Sequence, residues 1–197
     1  MKKIICIAFL SFYCFQVQAQ STFASGVKTG VNISHLSSER GFFDDGSDTY
    51  RTFPSLTSFY AGGFFDMNLT KIYTLSPELL YSSQGSEYNF SPDGISTSGT
   101  IKVSYLSLNI VNKFRFAQNF YPYAGTSFDV VVDKNYEVDI DSEIDLGLFI
   151  GAQFKLGKNF GIEARAKKGL IPVLDYSDGN HNNVVFQFGA TYTFDVK

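Results

Sequence analysis

The sequence predicts an all-β protein, an eight-stranded antiparallel up-and-down transmembrane β-barrel with short periplasmic turns and long extracellular loops. Three observations predict it. The chain opens with an export signal, it repeats segments of strict apolar/polar alternation, and its connections alternate between tight and long. The alternation is plainest in IDLGLFIGAQFKL, Ile144–Leu156. There Ile144, Leu146, Leu148, Ile150, Ala152, Phe154 and Leu156 share one face, and Asp145, Gly147, Phe149, Gly151, Gln153 and Lys155 share the other. Period-2 alternation describes a strand with one apolar and one polar face. Roughly 9–11 tilted residues cross a bilayer, so this segment is long enough.

Residues 1–19 read as a secretory signal peptide, and residues 20–197 as the barrel domain. Lys2 and Lys3 form the positive start, Ile4 to Phe15 is an apolar run too short for a spanning helix, and Val17-Gln18-Ala19 offers the small-residue cleavage site. Bulky Phe12 and Tyr13 ahead of Cys14 exclude a lipoprotein signal. Both cysteines, Cys6 and Cys14, lie in this segment, so the mature chain carries no thiol. Disulfides, zinc–thiolate sites and cysteine nucleophiles are thereby excluded together. Cleavage removes Lys2 and Lys3 from the 16 basic residues, leaving 14 against 19 acidic ones and a net charge of about −5. Nothing here resembles the basic patch that nucleic acid requires. Downstream of the signal, no apolar run approaches the ~20 residues of a spanning helix.

Eight alternating segments follow. In Ala24–Leu36, Val27, Thr29, Val31 and Ile33 oppose Lys28, Gly30, Asn32 and Ser34; in Ser58–Asn68, Phe59, Ala61, Gly63, Phe65 and Met67 oppose Tyr60, Gly62, Phe64 and Asp66. Ile72–Gln84 sets Leu75, Pro77, Leu79 and Tyr81 against Ser76, Glu78, Leu80 and Ser82. Pro77 requires a bulge, or a position where its missing N–H is not needed. Ile101–Phe116 changes phase, from Ile101, Val103 and Tyr105 to Leu106, Leu108 and Ile110, which predicts a β-bulge near Tyr105. Tyr121–Asp133 follows, then the segment already described. Asn159–Lys168 sets Phe160, Ile162, Ala164 and Ala166 against Gly161, Glu163, Arg165 and Lys167, and Asn183–Val196 closes the series.

Leu69–Lys71, Ala117–Phe120 and Gly157–Lys158 are tight connections; Ser37–Thr57, Gly85–Thr100, Lys134–Glu143 and Gly169–Asn182 are long and polar. Short periplasmic turns and long outer loops are the rule in outer-membrane barrels. Aromatic residues near the tight turns, Phe64, Tyr73, Phe116, Phe120, Phe154, Phe160, Tyr192 and Phe194, predict an interfacial girdle. The polar face carries both signs of charge: Asp66, Glu78, Asp129, Asp145 and Glu163 against Lys28, Lys113, Arg115, Lys155, Arg165 and Lys167. An eight-stranded lumen is filled by side chains, so these residues are expected to neutralise one another in a buried network. Glu78 and Arg165 are its expected members in mid-barrel.

Several of these segments carry a family resemblance. GVKTGVNISHL (Gly26–Leu36), LSPELLYSSQGSEY (Leu75–Tyr88), VSYLSLNIVNKFRF (Val103–Phe116), NFYPYAGTSFDVVV (Asn119–Val132) and DLGLFIGAQFKL followed by IEARAKKGL resemble the PorT-like outer-membrane β-barrel proteins of the Bacteroidetes. The most specific parts are Pro-Glu-Leu-Leu-Tyr and Tyr-Pro-Tyr-Ala-Gly; Asn109 departs from the pattern, since relatives often carry proline there. The resemblance implies an outer-membrane barrel, and its founding member is associated with type IX protein secretion.

Catalytic chemistry has few candidates. His35 lies beside Ser34 and Ser37, and His181 near Asp175 and Asp178, so converging loops would assemble a Ser–His–Asp set; no nucleophile motif accompanies them. The favoured reading is two solvated loop histidines. The acidic run Asp133, Glu137, Asp139, Asp141, Glu143 and Asp145 lacks the glycine-broken spacing of a calcium loop and reads as strand extension beyond the membrane; Asp44, Asp45 and Asp48, with Gly41 and Gly46, invite the same weak divalent-cation reading. The expectation is a non-enzymatic outer-membrane protein without catalytic residue, metal or cofactor, with a structural, envelope-assembly or loop-mediated binding role. The alternatives are a small-solute pore or lateral transport of hydrophobic compounds, and a lipid A-modifying enzyme. Expected partners are outer-membrane lipid and lipopolysaccharide, the barrel-assembly machinery, and an envelope protein.

Overall fold

A computed structural model describes residues 22–38, 51–52, 55–90, 97–135, 143–171, 174–176 and 179–194. The signal segment, Asp44, Asp45, Asp48, Glu137, Asp139, Asp141 and Asp178 lie outside the described residues.

The elements in chain order are β1 (Thr22–Ser38), β2 (Arg51–Thr52), β3 (Leu56–Asn68), β4 (Tyr73–Phe90), β5 (Thr97–Phe114), β6 (Phe120–Lys134), β7 (Ile144–Lys155), β8 (Phe160–Gly169), β9 (Leu174–Tyr176) and β10 (Gly179–Thr193). The eight long ones run β1-β3-β4-β5-β6-β7-β8-β10, each antiparallel to its neighbour, and β10 returns to β1 along a register from Gly26↔Thr193 to Ser38↔His181. Closure gives each long strand a hydrogen-bonded neighbour on both sides, as a bilayer's hydrocarbon requires. The predicted barrel is therefore the observed one. Short β2 pairs with β4, and β9 with β10, at the long-loop end. The expected loop Gly85–Thr100 is mostly strand, because β4 and β5 stay paired out to Phe90↔Thr97.

At the opposite end the turns are tight. Leu69 N–H donates to Tyr73 O at 3.1 Å, Phe116 N–H to Phe120 O at 3.1 Å and Leu156 N–H to Phe160 O at 2.9 Å. Aromatic pairs ring this rim: Tyr73 with Phe114 (centroids 5.3 Å apart), Phe116 with Phe120 (6.4 Å) and Phe160 with Tyr192 (4.9 Å). Phe64 is not among them. Strand alternation sends Phe65 outward and turns Phe64 into the lumen, where it is buried.

Polarity is inverted relative to a water-soluble barrel. Val31, Leu79, Leu108, Leu148, Ile162 and Phe188 are each about half exposed around the outside, whereas Lys28, Glu78, Asp129 and Arg165 are buried. A continuous apolar belt far exceeds the few hundred Å² that a protein leaves bare to water, and suits lipid instead.

Two local expectations meet different fates. Pro77 sits in mid-strand with no register shift: Phe64↔Glu78 and Met67↔Leu75 share one register, and only the β3 pairings opposite Ser76 and Pro77 are skipped. Its missing N–H falls where the β3 ladder is interrupted, which resolves the two options in favour of the second. The bulge near Tyr105 is present, but its cause differs. From Val103 to Lys113 the odd residues of β5 are buried, and the register breaks because β6 holds the extra residue, Val132, between Val131↔Tyr105 and Asp133↔Ser104.

Glycines decide how rings fit the lumen. A Cβ on Gly30 would meet the Phe188 carbonyl, and Tyr60 Cε1 at 2.7 Å. Tyr60 thus lies against the wall because neither Gly30 nor its cross-strand neighbour Gly189 has a side chain. Gly30→Val is expected to lower stability by about 1–3 kcal/mol through overpacking. Gly63→Ala, whose nearest neighbour would be 3.6 Å away, is expected to be nearly silent. Urea unfolding of refolded protein in micelles compares the two, and equal midpoints would refute the fit.

Candidate functional site: the filled lumen

Inward-facing positions on neighbouring strands stack into three charged groups along the barrel axis. Nearest the short turns, Lys113 on β5 donates to Asp66 Oδ1 on β3 at 2.8 Å, with its ammonium 4.9 Å from the centroid of the Phe64 ring. Each ion is largely shielded from water, so the pair is worth keeping only because it is hydrogen-bonded.

The central group is the largest. Lys28 on β1 donates to Glu78 Oε1 at 2.7 Å and to Glu163 Oε2 at 2.7 Å. Arg165 Nη2 on β8 reaches Glu78 Oε2 on β4 at 2.9 Å. In the circular strand order β4 and β8 lie on opposite walls, so this ion pair crosses the full bore. Tyr60 Oη donates to Glu163 at 2.9 Å and Asn109 Nδ2 to Glu78 at 3.3 Å. The Arg165 guanidinium lies 4.2 Å from the Phe149 ring centroid and 5.2 Å from that of Tyr123, a stacking geometry favoured for Arg.

Towards the long loops, Lys167 on β8 donates to Asp129 Oδ2 on β6 at 2.5 Å, and Ser127 Oγ donates to the same oxygen at 2.9 Å. Gly147 on the intervening β7 makes this crossing possible, since a Cβ there would meet Lys167 Cε at 2.9 Å. Asp145 lies beside Asp129 on β7 and accepts the Ile171 N–H at 3.2 Å.

Above the charges sits a cap of amides and hydroxyls. Asn32 Nδ2 donates to Ser82 Oγ (3.0 Å) and to the Ser83 carbonyl (2.6 Å), Gln187 donates to Asn32 Oδ1 (2.9 Å), and Asn183 donates to Gln84 Oε1. Ser34 Oγ on β1 donates to the Gly85 carbonyl at 2.7 Å and accepts the Gly85 N–H at 2.9 Å. Strand β3 separates β1 from β4 in the sheet, so Ser82–Gly85 must lean inward over the mouth for these bonds to form. Gly85 has φ 153°, a backbone that suits glycine at such a bend.

Of the sequence-derived set, Lys28, Asp66, Glu78, Lys113, Asp129, Asp145, Glu163, Arg165 and Lys167 are buried in the lumen. Arg115 and Lys155 are corrections. Arg115 lies just past the end of β5, where alternation no longer holds, and is exposed; Lys155 ends β7 and is half-buried. Both cations lie over the Tyr121 ring at the periplasmic mouth, at 5.6 and 5.1 Å from its centroid. The sequence places Tyr60, Phe149, Asn32, Ser34 and Ser82 on the polar face but does not mark them, or Asn109, as members of the network. The available signal was their place on the charged face, with glycine on the same face of adjacent strands.

The histidines fall on adjoining strands. His35 pairs with Val184 and His181 with Ser38 in the β1–β10 ladder, and Asp175 pairs with Asn180. Among the described residues, no three His, Cys, Asp or Glu side chains are grouped to hold a metal.

Residues 18–175 match the family model described as outer membrane protein beta-barrel domain. Solved structures similar to the chain include Ail, the attachment invasion locus protein of Yersinia pestis, at 14% identity and TM-score 0.48, covering 87% of this chain and 99% of that one. Neisserial surface protein A is similar at 12% identity and TM-score 0.49, covering 86% and 97%. OprG from Pseudomonas aeruginosa is similar at 12% identity and TM-score 0.43, covering 88% and 95%. No curated protein matches the sequence.

Proposed function

Because this chain belongs to the outer membrane protein beta-barrel domain family, and is thus an integral protein of the bacterial outer membrane, we propose that it is a non-conducting, non-enzymatic barrel. Its long outer loops then do the binding, and its filled interior serves as a rigid support for them. The observation that carries this reading is the Arg165–Glu78 ion pair spanning the bore at 2.9 Å, with Lys28 and Glu163 beside it. An ion or solute crossing at that level must break several charge-assisted hydrogen bonds at once. The inward lean of Ser82–Gly85 adds a second obstruction above it.

Residues 1–19 would be removed on export, leaving residues 20–197 as the barrel. Its partners would be lipid and lipopolysaccharide around the apolar belt, the barrel-assembly machinery during insertion, and an envelope protein at the loops. The resemblance to PorT-like proteins of the Bacteroidetes supports a role in envelope assembly, with type IX secretion as the process to examine first.

Purified mature protein in planar bilayers is expected to give no stepwise conductance. Its expression is expected to leave lipid A masses unchanged. Discrete conductance steps would replace the support reading with a pore, and a lipid A mass change lost on His181→Ala would replace it with an enzyme.

A further inference from the structure

The charges of the lumen do not balance evenly along its axis. Among the described residues, Lys113 matches Asp66, and Lys28 with Arg165 matches Glu78 with Glu163. The outer group holds one cation, Lys167, against two carboxylates, Asp129 and Asp145. All three are buried. The surplus negative charge of the interior therefore sits in one place.

The register shows what surrounds it. Ser107 on β5 is directly opposite Asp129 on β6, which is directly opposite Asp145 on β7. Cross-strand neighbours on one face have Cβ atoms about 4.5–5.5 Å apart, so the three side chains form one row. Asp129 is 1% exposed and Ser107 2% exposed, yet Asp129 Oδ1 and Ser107 Oγ have no hydrogen-bond partner among the described residues. Lys167 and Ser127 both bind Asp129 through its other oxygen, and Asp145 Oδ1 accepts the Ile171 N–H. Two like charges side by side in a low-dielectric interior are costly, and an unpartnered buried hydroxyl adds to that cost.

We propose that Ser107, Asp129 and Asp145 bind one small monovalent cation, with sodium the natural occupant. The donors are hard oxygens, which suit a hard cation. One positive charge brings the outer group to neutrality, whereas a divalent ion would leave a buried surplus of the opposite sign. The site requires neither conduction nor loop binding, so it stands apart from the functional reading above.

The test is unfolding of the refolded, mature barrel in an uncharged detergent at constant ionic strength, exchanging choline chloride for sodium chloride. Choline is too large for the row, so only the small-cation term changes. Sodium at about ten times its dissociation constant is expected to reduce the unfolding equilibrium constant roughly tenfold. Asp145→Asn removes the surplus charge and is expected to abolish the sodium response while leaving the barrel folded in choline. Ser107→Ala, which keeps the charge, is expected to require several-fold more sodium for the same response. Identical unfolding of the unmodified protein in sodium and choline overturns the proposal. So does a sodium response that survives Asp145→Asn. A stability that ignores sodium but follows pH would assign the surplus to a bound proton instead, and equally overturns it.

Discussion

Glu78→Gln will destabilise the barrel by about 3–5 kcal/mol, the cost of breaking a buried ion pair from one side. Glu78 is 1% exposed and accepts from Lys28, Arg165 and Asn109. Glutamine preserves its volume but not its charge. Lys28 retains Glu163, whereas Arg165 loses the carboxylate it binds across the bore. A guanidinium left without its counter-ion in the interior then dominates the loss. Urea unfolding in neutral micelles measures the effect. Replacing both partners with apolar residues, Glu78→Leu with Arg165→Met, is expected to recover most of the lost stability, because no uncompensated charge remains. A single variant within about 0.5 kcal/mol of the parent would behave like an ordinary surface substitution and deny the network its role.

Ile150→Arg tests the other face. Ile150 is 68% exposed, its cross-strand neighbours are Ala124 and Ala166, and it lies midway along β7. A cation on the lipid face near the midplane of a barrel costs about 2–4 kcal/mol. Lys168, one position outward of Ala166 on the same face, is exposed near the end of β8, where its long stem reaches the interface. Ile150→Leu keeps the surface apolar and is expected to be nearly silent. Refolding into bilayers of matched thickness, followed by denaturant unfolding, separates them. Equal stability of the two variants would mean that water, not lipid, faces this strand.

The strands and their faces were legible because alternation is a property of single residues, and a membrane sharpens it. From Ile144 to Lys155 the sequence faces and the burial pattern coincide almost residue for residue. Reasoning from polarity failed where the lumen accepts apolar side chains. Val103, Tyr105 and Val111 are all buried, so the apparent phase change on β5 came from apolar residues admitted to the lumen, beside an extra residue on β6. It failed again at strand ends, where Arg115 is exposed and Lys155 only half-buried, both over the Tyr121 ring at the mouth rather than among the buried ion pairs. The inward lean of Ser82–Gly85 left no trace in a period-2 reading, since all four residues are buried in succession. The charged centre was legible as a set of residues but not as a wiring diagram. Which carboxylate meets which cation depends on ring closure, and Arg165 with Glu78 are 87 positions apart.

The seam between β1 and β10 joins the beginning of the folded chain to its end. A nascent polypeptide therefore cannot close this wall while it is still emerging from the translocation channel. The N-terminal strand must wait, with one side unzipped, until the last segment has been delivered. Removing β10 would leave that edge unpaired and yield an open sheet rather than a smaller cylinder.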